Sequence, residues 1–232
     1  MEANQSHQSI RLNKFLAERL GLSRREADDI IASGQVLVDD KPAILGARVD
    51  KTSKVCYNKK IVPFDTEYIY IAFNKPVGYV CSRKAQGDAP TLYDLLPADF
   101  QKLKTVGRLD KDSSGLILLT NDGDFAYEMT HPKFYKEKLY EVKIDRDLAP
   151  LHQQMICDYG IEIGDGISKM GLVRMSDDNR TEWFVTIREG RNRQIRRTFE
   201  ALGYQVKNLH RTQFGKYQLS GLEAGKYVEV TR

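Results

Sequence analysis

Gly107-Arg108-Leu109-Asp110-Lys111-Asp112-Ser113-Ser114-Gly115 sets a carboxylate, Asp110, close to a guanidinium, Arg108, inside a glycine-bounded polar segment. Leu116-Ile117-Leu118-Leu119 follows at once. A short unbroken apolar run reads as a strand that can bury itself. A carboxylate on a turn anchored by such a strand is held in one geometry, which a catalytic Asp requires. The same residues also read as an ordinary polar turn, since Asp, Ser and Gly are common turn formers. Calcium is rejected. Asp110, Asp112, Ser114 and Gly115 match the opening of an EF-hand loop, but Asn121 stands where that loop needs its bidentate Glu.

Outward from that stretch, the composition is that of an ordinary globular chain. There are 232 residues, 41% hydrophobic and 29% charged, enough for one large domain or a large and a small one. No apolar stretch is long enough to span a bilayer, so no membrane partner is expected. Met1 to Ser9 is polar and lacks a signal core, which points to a cytoplasmic protein. Cys56, Cys81 and Cys157 lie far apart, and His7, His131, His152 and His210 show no metal spacing. Neither a metal nor a redox dithiol is therefore expected. Net charge is only +4, but residues 188–211 hold six Arg and one Lys against Glu189 and Glu200. Crowded Arg suits phosphate, which guanidinium contacts in a planar, bidentate way. The alternative is a solvated basic helix.

The first sixty residues read as a separate module. Leu12, Phe15, Leu16 and Leu20 recur at helical spacing, and Gly21 ends that helix. Ser23-Arg24-Arg25-Glu26 has the form of a capping box that starts a second helix with Ala27, Ile30 and Ile31 on its apolar face. Gln35 to Val38 alternates like a strand, Asp39 to Pro42 reads as a turn, and a further strand is expected near Lys54 to Tyr57. Lys59 to Glu67 reads as the linker. The domains are thus expected at 9–60 and 66–232.

In the second domain, strands are expected at Tyr68 to Phe73, Glu141 to Ile144, Trp183 to Ile187 and Tyr217 to Leu219. Helices are expected at Thr91 to Leu96, Asp124 to Met129, Ala149 to Ile156 and Arg193 to Leu202. Strands and helices do not alternate regularly, which indicates an α+β fold on a mostly antiparallel or mixed sheet.

Arg11-Leu12-Asn13-Lys14-Phe15-Leu16, Ser23 to Ala27 and Gly34 to Val38 resemble the small S-four-like RNA-binding domain. That resemblance implies structured RNA as partner and gives Arg11, Lys14, Arg24 and Arg25 to its binding face. The second domain resembles the ribosomal RNA pseudouridine synthases of the RsuA family. The matching segments, in order, are Asn74-Lys75-Pro76-Val77-Gly78, Gly107 to Asp110 with Ser114-Gly115-Leu116, Glu137 to Val142, and Glu189 to Arg197. Gly203-Tyr204, Leu209 and Arg211 continue in register. Thr198 and Tyr227 depart from the family's usual Met and Arg.

The resemblance implies the pseudouridine synthase fold and isomerisation of a ribosomal RNA uridine without a cofactor, and a monomer is expected. The lack of a Gly-rich dinucleotide or phosphate loop is consistent with that. It assigns Asp110 as the catalytic carboxylate, nucleophile or base, with Tyr140 as the aromatic wall for the flipped base. Arg196 becomes the cation that keeps Asp110 ionised; phosphate binding or helix solubility is its other reading. Ile195 packs the base's other side or belongs to the core with Phe199 and Leu202. Arg108 fills the gap left by the base or serves as a salt-bridge partner. Arg191 and Arg193, with Arg188 and Arg211, are candidates for phosphate. Two rival functions remain: a non-catalytic RNA-binding or ribosome-assembly factor on the same fold, and a metal-dependent RNA hydrolase using Asp110 and Asp112.

Overall fold

The structure, a computed structural model, describes residues 9–83 and 87–232. The polar opening stretch 1–8, with His7, lies outside the described residues. The chain forms two compact units, one ending at Tyr68 and the other spanning Ile69–Arg232.

In the small unit, helix Leu12–Arg19 buries Leu12, Phe15, Leu16 and Ala17, and helix Arg24–Ala32 buries Ala27 and Ile31. The capping box forms: Ser23 Oγ accepts from the Glu26 amide at 3.1 Å, and the Glu26 carboxylate accepts from the Ser23 amide at 2.7 Å. Strand Val36–Val38 pairs with Lys41–Pro42 on one side and Val55–Tyr57 on the other. Asp39 and Asp40 turn the first hairpin at φ 51° and 63°, a left-handed pair that Asp tolerates better than most residues. The expected linker is shorter than its composition suggests. Lys60–Ile61 adds a strand beside Val55–Tyr57, Val62 is buried, and the Phe64 ring stacks on Phe15 at 4.3 Å. A core this small draws on apolar groups beyond its two helices. The boundary therefore falls at Tyr68, past both expected limits, 60 and 66.

The large unit is α+β. Seven of its strands form a path running Gly171–Ser176, Asn179–Ile187, Lys138–Ile144, Val206–Phe214, Ser114–Thr120, Tyr70–Lys75 and Tyr227–Glu229. The sheet is mixed: every pairing is antiparallel except that between Val206–Phe214 and Ser114–Thr120. Residues 116–119 read as an unbroken apolar run because this strand is covered on both faces. Ile117 and Leu119 join one core with Phe73, Val142, Trp183 and Phe199, while Leu116 and Leu118 join another with Phe125, Met129 and Phe214.

Where the two central parallel strands meet, only glycine fits. Gly115 has φ 105°, and a Cβ there would lie 2.2 Å from the Arg211 carbonyl oxygen. That close approach sets Arg211 level with the start of the strand that follows the Gly107–Ser113 loop. Elsewhere, residues 92–95 form a short 3-10 turn, and helix Pro150–Gln154 widens into a π-helical turn through Tyr159. The departures from the family pattern fit locally. Thr198 is fully buried and its hydroxyl donates to Ser168 Oγ at 2.8 Å, and Tyr227 packs edge-on against Phe100 at 5.1 Å. Among the described residues, no helix is long and apolar enough to cross a membrane.

Candidate active site

Three segments of the sheet converge on one cavity of about 280 Å³. The Gly107–Ser113 loop brings Arg108, Leu109 and Asp110; strand Lys138–Ile144 brings Lys138 and Tyr140; strand Val206–Phe214 brings Leu209, Arg211 and Phe214. Residues 190–195 close the remaining side. Tyr140 and Arg211 are direct cross-strand partners, so sheet register alone sets them side by side.

The loop is splinted on both sides of Asp110. The Gly78 amide donates to the Lys111 carbonyl at 2.7 Å. Cys81 Sγ donates to the Leu109 carbonyl at 3.2 Å and accepts from the Leu109 amide at 3.3 Å. Burial pushes the Cys81 thiol up, which keeps it protonated and able to donate. The Ser113 amide closes the turn by donating to the Asp110 carbonyl at 3.1 Å. The Asn74-Lys75-Pro76-Val77-Gly78 motif thus has a local purpose. Buried Lys75 donates to the carbonyls of Pro76 and Tyr79 at 2.9 and 2.8 Å, fixing the turn that carries Gly78.

Arg196 feels the charge of Asp110 but makes its ion pair with Asp112. Its guanidinium donates to the Asp112 and Val206 carbonyls, both at 2.8 Å, and its Nε lies 3.3 Å from the Asp112 carboxylate. The cation beside Asp110 is Arg193, at 3.6 Å from Oδ2. Arg193 starts helix Gln194–Ala201 from the left-handed region, φ 47°, which turns its side chain back over Asp110 and Asp112. Burial alone would raise Asp112, but the Arg193 hydrogen bond and the charges of Arg196 and Arg193 hold its carboxyl below the usual range. Helical spacing could not reveal this, because Asp112 arrives from a loop 81 residues away.

The most deeply buried cation of the cavity is Arg211, only 2% exposed. Its Nε donates to the Leu116 carbonyl at 2.7 Å, Nη1 reaches Tyr140 Oη at 3.4 Å, and Nη2 is buried with no partner. Among the described residues it makes no ion pair, which leaves a costly unpaired buried charge. Phosphate on an open surface is therefore not its setting. Nor is Arg191 a free phosphate ligand. It lines the cavity while paired with Glu189 at 2.7 Å and Asp165 at 3.4 Å. Arg197 is likewise held by Asp165 at 2.7 Å. Carboxylates remote in sequence neutralise much of the basic run.

Ile195 is 4% exposed within the main core, as its core reading expects, and it also lines the cavity. Arg108 is exposed, makes no ion pair among the described residues, and lines both the cavity and a second cleft of about 690 Å³ beyond Asp110. In the small unit Arg11, Arg24 and Arg25 are exposed, whereas Lys14 is half-buried and 3.9 Å from Glu18. Among the described residues, no His, Cys, Asp and Glu cluster could hold a metal ion.

Residues 69–201 match the family described as RNA pseudouridylate synthase. The chain belongs to that family. Residues 10–55 of this RNA pseudouridylate synthase match the S4 domain. The chain is 37% identical over 227 residues to "Ribosomal small subunit pseudouridine synthase A" of Pasteurella multocida, covering 96% of each chain. It is 34% identical to "Ribosomal large subunit pseudouridine synthase B" of Bacillus subtilis, covering 95% of this chain and 92% of that one. Against "Dual-specificity RNA pseudouridine synthase RluF" of Escherichia coli K12 the identity is 35%, covering 96% and 76%. A solved pseudouridylate synthase superposes with TM-score 0.68 at 32% identity, covering 96% of each chain. The chain is accordingly an isomerase of RNA uridine with the pseudouridine synthase fold.

Sequence reasoning passed over Lys138, although it lies within the tyrosine motif. Its Nζ donates to the Glu189 carbonyl at 3.0 Å and lies 5.3 Å from the Phe214 ring. Burial, with Arg211 nearby, pushes Lys138 down to about 8. The sign follows from linkage. A lysine that is easier to deprotonate folded than unfolded costs stability below the folded value, and that cost disappears as pH rises toward the unfolded 10.5. Lys138→Met is therefore expected to gain on the wild type at pH 7. Its advantage should shrink by about 2 kcal/mol, after allowance for solvent in the cavity, as pH rises from 8 to 10.5. Denaturant unfolding of both proteins across that range checks it; a constant difference would remove Lys138 as a buried charge.

Proposed function

We propose that this protein converts a specific uridine of ribosomal RNA to pseudouridine, with Asp110 as the catalytic carboxylate. One observation carries the reading: Asp110, Tyr140 and the unpaired cation of Arg211 line a single cavity. Its volume of about 280 Å³ lies at the small end of ligand pockets and suits one nucleoside. In the reaction the N1–C1′ bond breaks and a C5–C1′ bond forms. C5 loses a proton and N1 gains one, so no oxidant or reductant is needed. Asp110 acts at the ribose–base linkage as nucleophile or base. Tyr140 gives the flipped uracil a flat wall. Arg211, in place of Arg196, supplies the fixed positive charge. Arg196 holds the Asp112–Ser113 turn instead, and Arg108 enters the space the base leaves in its helix.

The test is tritium release from transcripts of small- and large-subunit ribosomal RNA labelled at uridine C5, since only substitution at that carbon frees the label. Release from one transcript, stoichiometric with a single site, is expected. No release from either transcript or from subunit particles would exclude ribosomal RNA as substrate.

The relatives named for ribosomal RNA and the S4 match support RNA binding by the small unit through Arg11, Lys14, Arg24 and Arg25. Replacing the exposed trio Arg11, Arg24 and Arg25 with Gln should weaken RNA binding. The slope of log affinity against log salt should fall by roughly 0.7 to 0.9 for each phosphate left without its cation. Chemistry on bound RNA should continue at its usual rate. An unchanged slope would take these residues off the RNA.

A further inference from the structure

We propose that Tyr127 and the 131–136 segment form a stacking platform at the cavity mouth for unpaired nucleobases of the RNA strand beside the target uridine. The proposal rests on the reading of the cavity above and concerns a surface outside it. The chain leaves the cavity wall at Thr130, the last residue of helix Gly123–Thr130, and re-enters it at Lys138. The seven residues between, 131–137, therefore skirt its mouth.

Those residues carry a preformed aromatic cluster. The Tyr127 and His131 rings lie 4.7 Å apart, and Phe134 packs edge-on against Tyr127 at 5.9 Å and against His131 at 6.4 Å. Lys133 Nζ lies 5.2 Å from the Tyr127 ring and 4.7 Å from the Phe134 ring. Backbone bonds fix the turn: Phe134 to His131 at 3.1 Å, Tyr135 to Pro132 at 3.0 Å, and Gly215 to Glu137 at 2.7 Å. Even so, Tyr127, Phe134 and Tyr135 remain 48%, 38% and 72% exposed. Isolated exposed rings are unremarkable, but a fixed group of them beside a substrate cavity is a binding surface.

The chemistry selects the occupant. Exposed rings with a cation over them match single-stranded nucleic acid, where bases stack and the cation meets phosphate. Lys133 makes no ion pair among the described residues, and the nearby Glu128 is already held by Lys136 at 2.8 Å and Arg232 at 3.3 Å. Moving a uridine out of its helix also unpairs bases on its strand beyond the space that Arg108 fills, and those bases then need a partner. The platform supplies one at the place where those neighbours emerge.

The experiment measures binding of full-length small- and large-subunit ribosomal RNA transcripts by the Asp110→Asn protein, with Phe134→Ala, Tyr135→Ala or Lys133→Gln added. Each ring variant should bind roughly 5- to 150-fold more weakly with an unchanged salt slope, because stacking releases no counterions. Lys133→Gln should instead lower the slope. In the Asp110→Asn background the ring variants should also lose cross-linking between 4-thiouridine-substituted transcript and the 131–136 peptide. With Asp110 restored, they should keep the wild-type rate of tritium release at saturating RNA. Full affinity in both ring variants, with melting curves unchanged, overturns the platform. So does a loss seen on ribosomal particles but not on naked RNA, which would assign the surface to a protein. Product formation by Asp110→Asn itself at the wild-type rate would fell the cavity reading separately, whatever the ring variants do.

Discussion

Asp110→Asn should lower the single-turnover rate of pseudouridine formation by about 10²- to 10⁴-fold, the range for loss of a group that moves a proton or bonds in the transition state. Binding and stability should hardly change. The substitution is nearly isosteric, and the loop geometry rests on bonds made by Leu109, Lys111 and Ser113, not on the Asp110 carboxylate. The interaction that would be weakened is the ion pair with Arg193, 3.6 Å long and partly solvated, of a kind worth little. Rates on saturating RNA and a thermal melt check both halves. A wild-type rate removes Asp110 from the chemistry, whereas a large drop in melting temperature would make it a structural residue.

Arg211→Met and Arg196→Met should fail in different ways. Arg211 is a buried cation with no carboxylate partner, so replacing it with an apolar side chain of similar length relieves a desolvation cost. That relief offsets the missing bond to the Leu116 carbonyl. Stability should therefore hold, while the saturated rate falls by about 10²- to 10³-fold, as when a preorganised donor is removed from a transition state. Arg196→Met breaks bonds to the Val206 and Asp112 carbonyls and the ion pair with the Asp112 carboxylate. It should cost about 2 to 3 kcal/mol of stability, with the rate reduced only through misplacement of the loop. Urea unfolding and single-turnover rates, measured together, separate the two. If Arg196→Met is stable but inactive and Arg211→Met is active, Arg196 and not Arg211 is the cation of the reaction.

What the sequence made legible follows from what is local. The capping box at Ser23 and Glu26, the apolar strand after Gly115, and the helix after Arg193 each depend on residues within a few positions, and each forms. The nine-residue strand Val206–Phe214 was not legible, although it lies at the sheet's centre. Its pattern is broken by Asn208, His210 and Arg211, and a buried arginine imitates a surface residue in any hydropathy pattern. The ion pairs of the basic run were hidden for the same reason. Asp112, Asp165 and Glu137 reach the basic run from remote segments, so charges counted along residues 188–211 overstate the open positive surface. The packing of Phe64 on Phe15 within the expected linker was not legible either, since no local pattern encodes that pairing.

The most direct test of the central claim is a map of pseudouridine in ribosomal RNA by carbodiimide-stop sequencing. It compares cells carrying the wild-type protein, cells lacking it, and cells carrying Asp110→Asn at equal protein level. One ribosomal uridine should give a strong stop with the wild type and none in the other two. Identical maps in all three strains, or a stop that persists with Asp110→Asn, would contradict it.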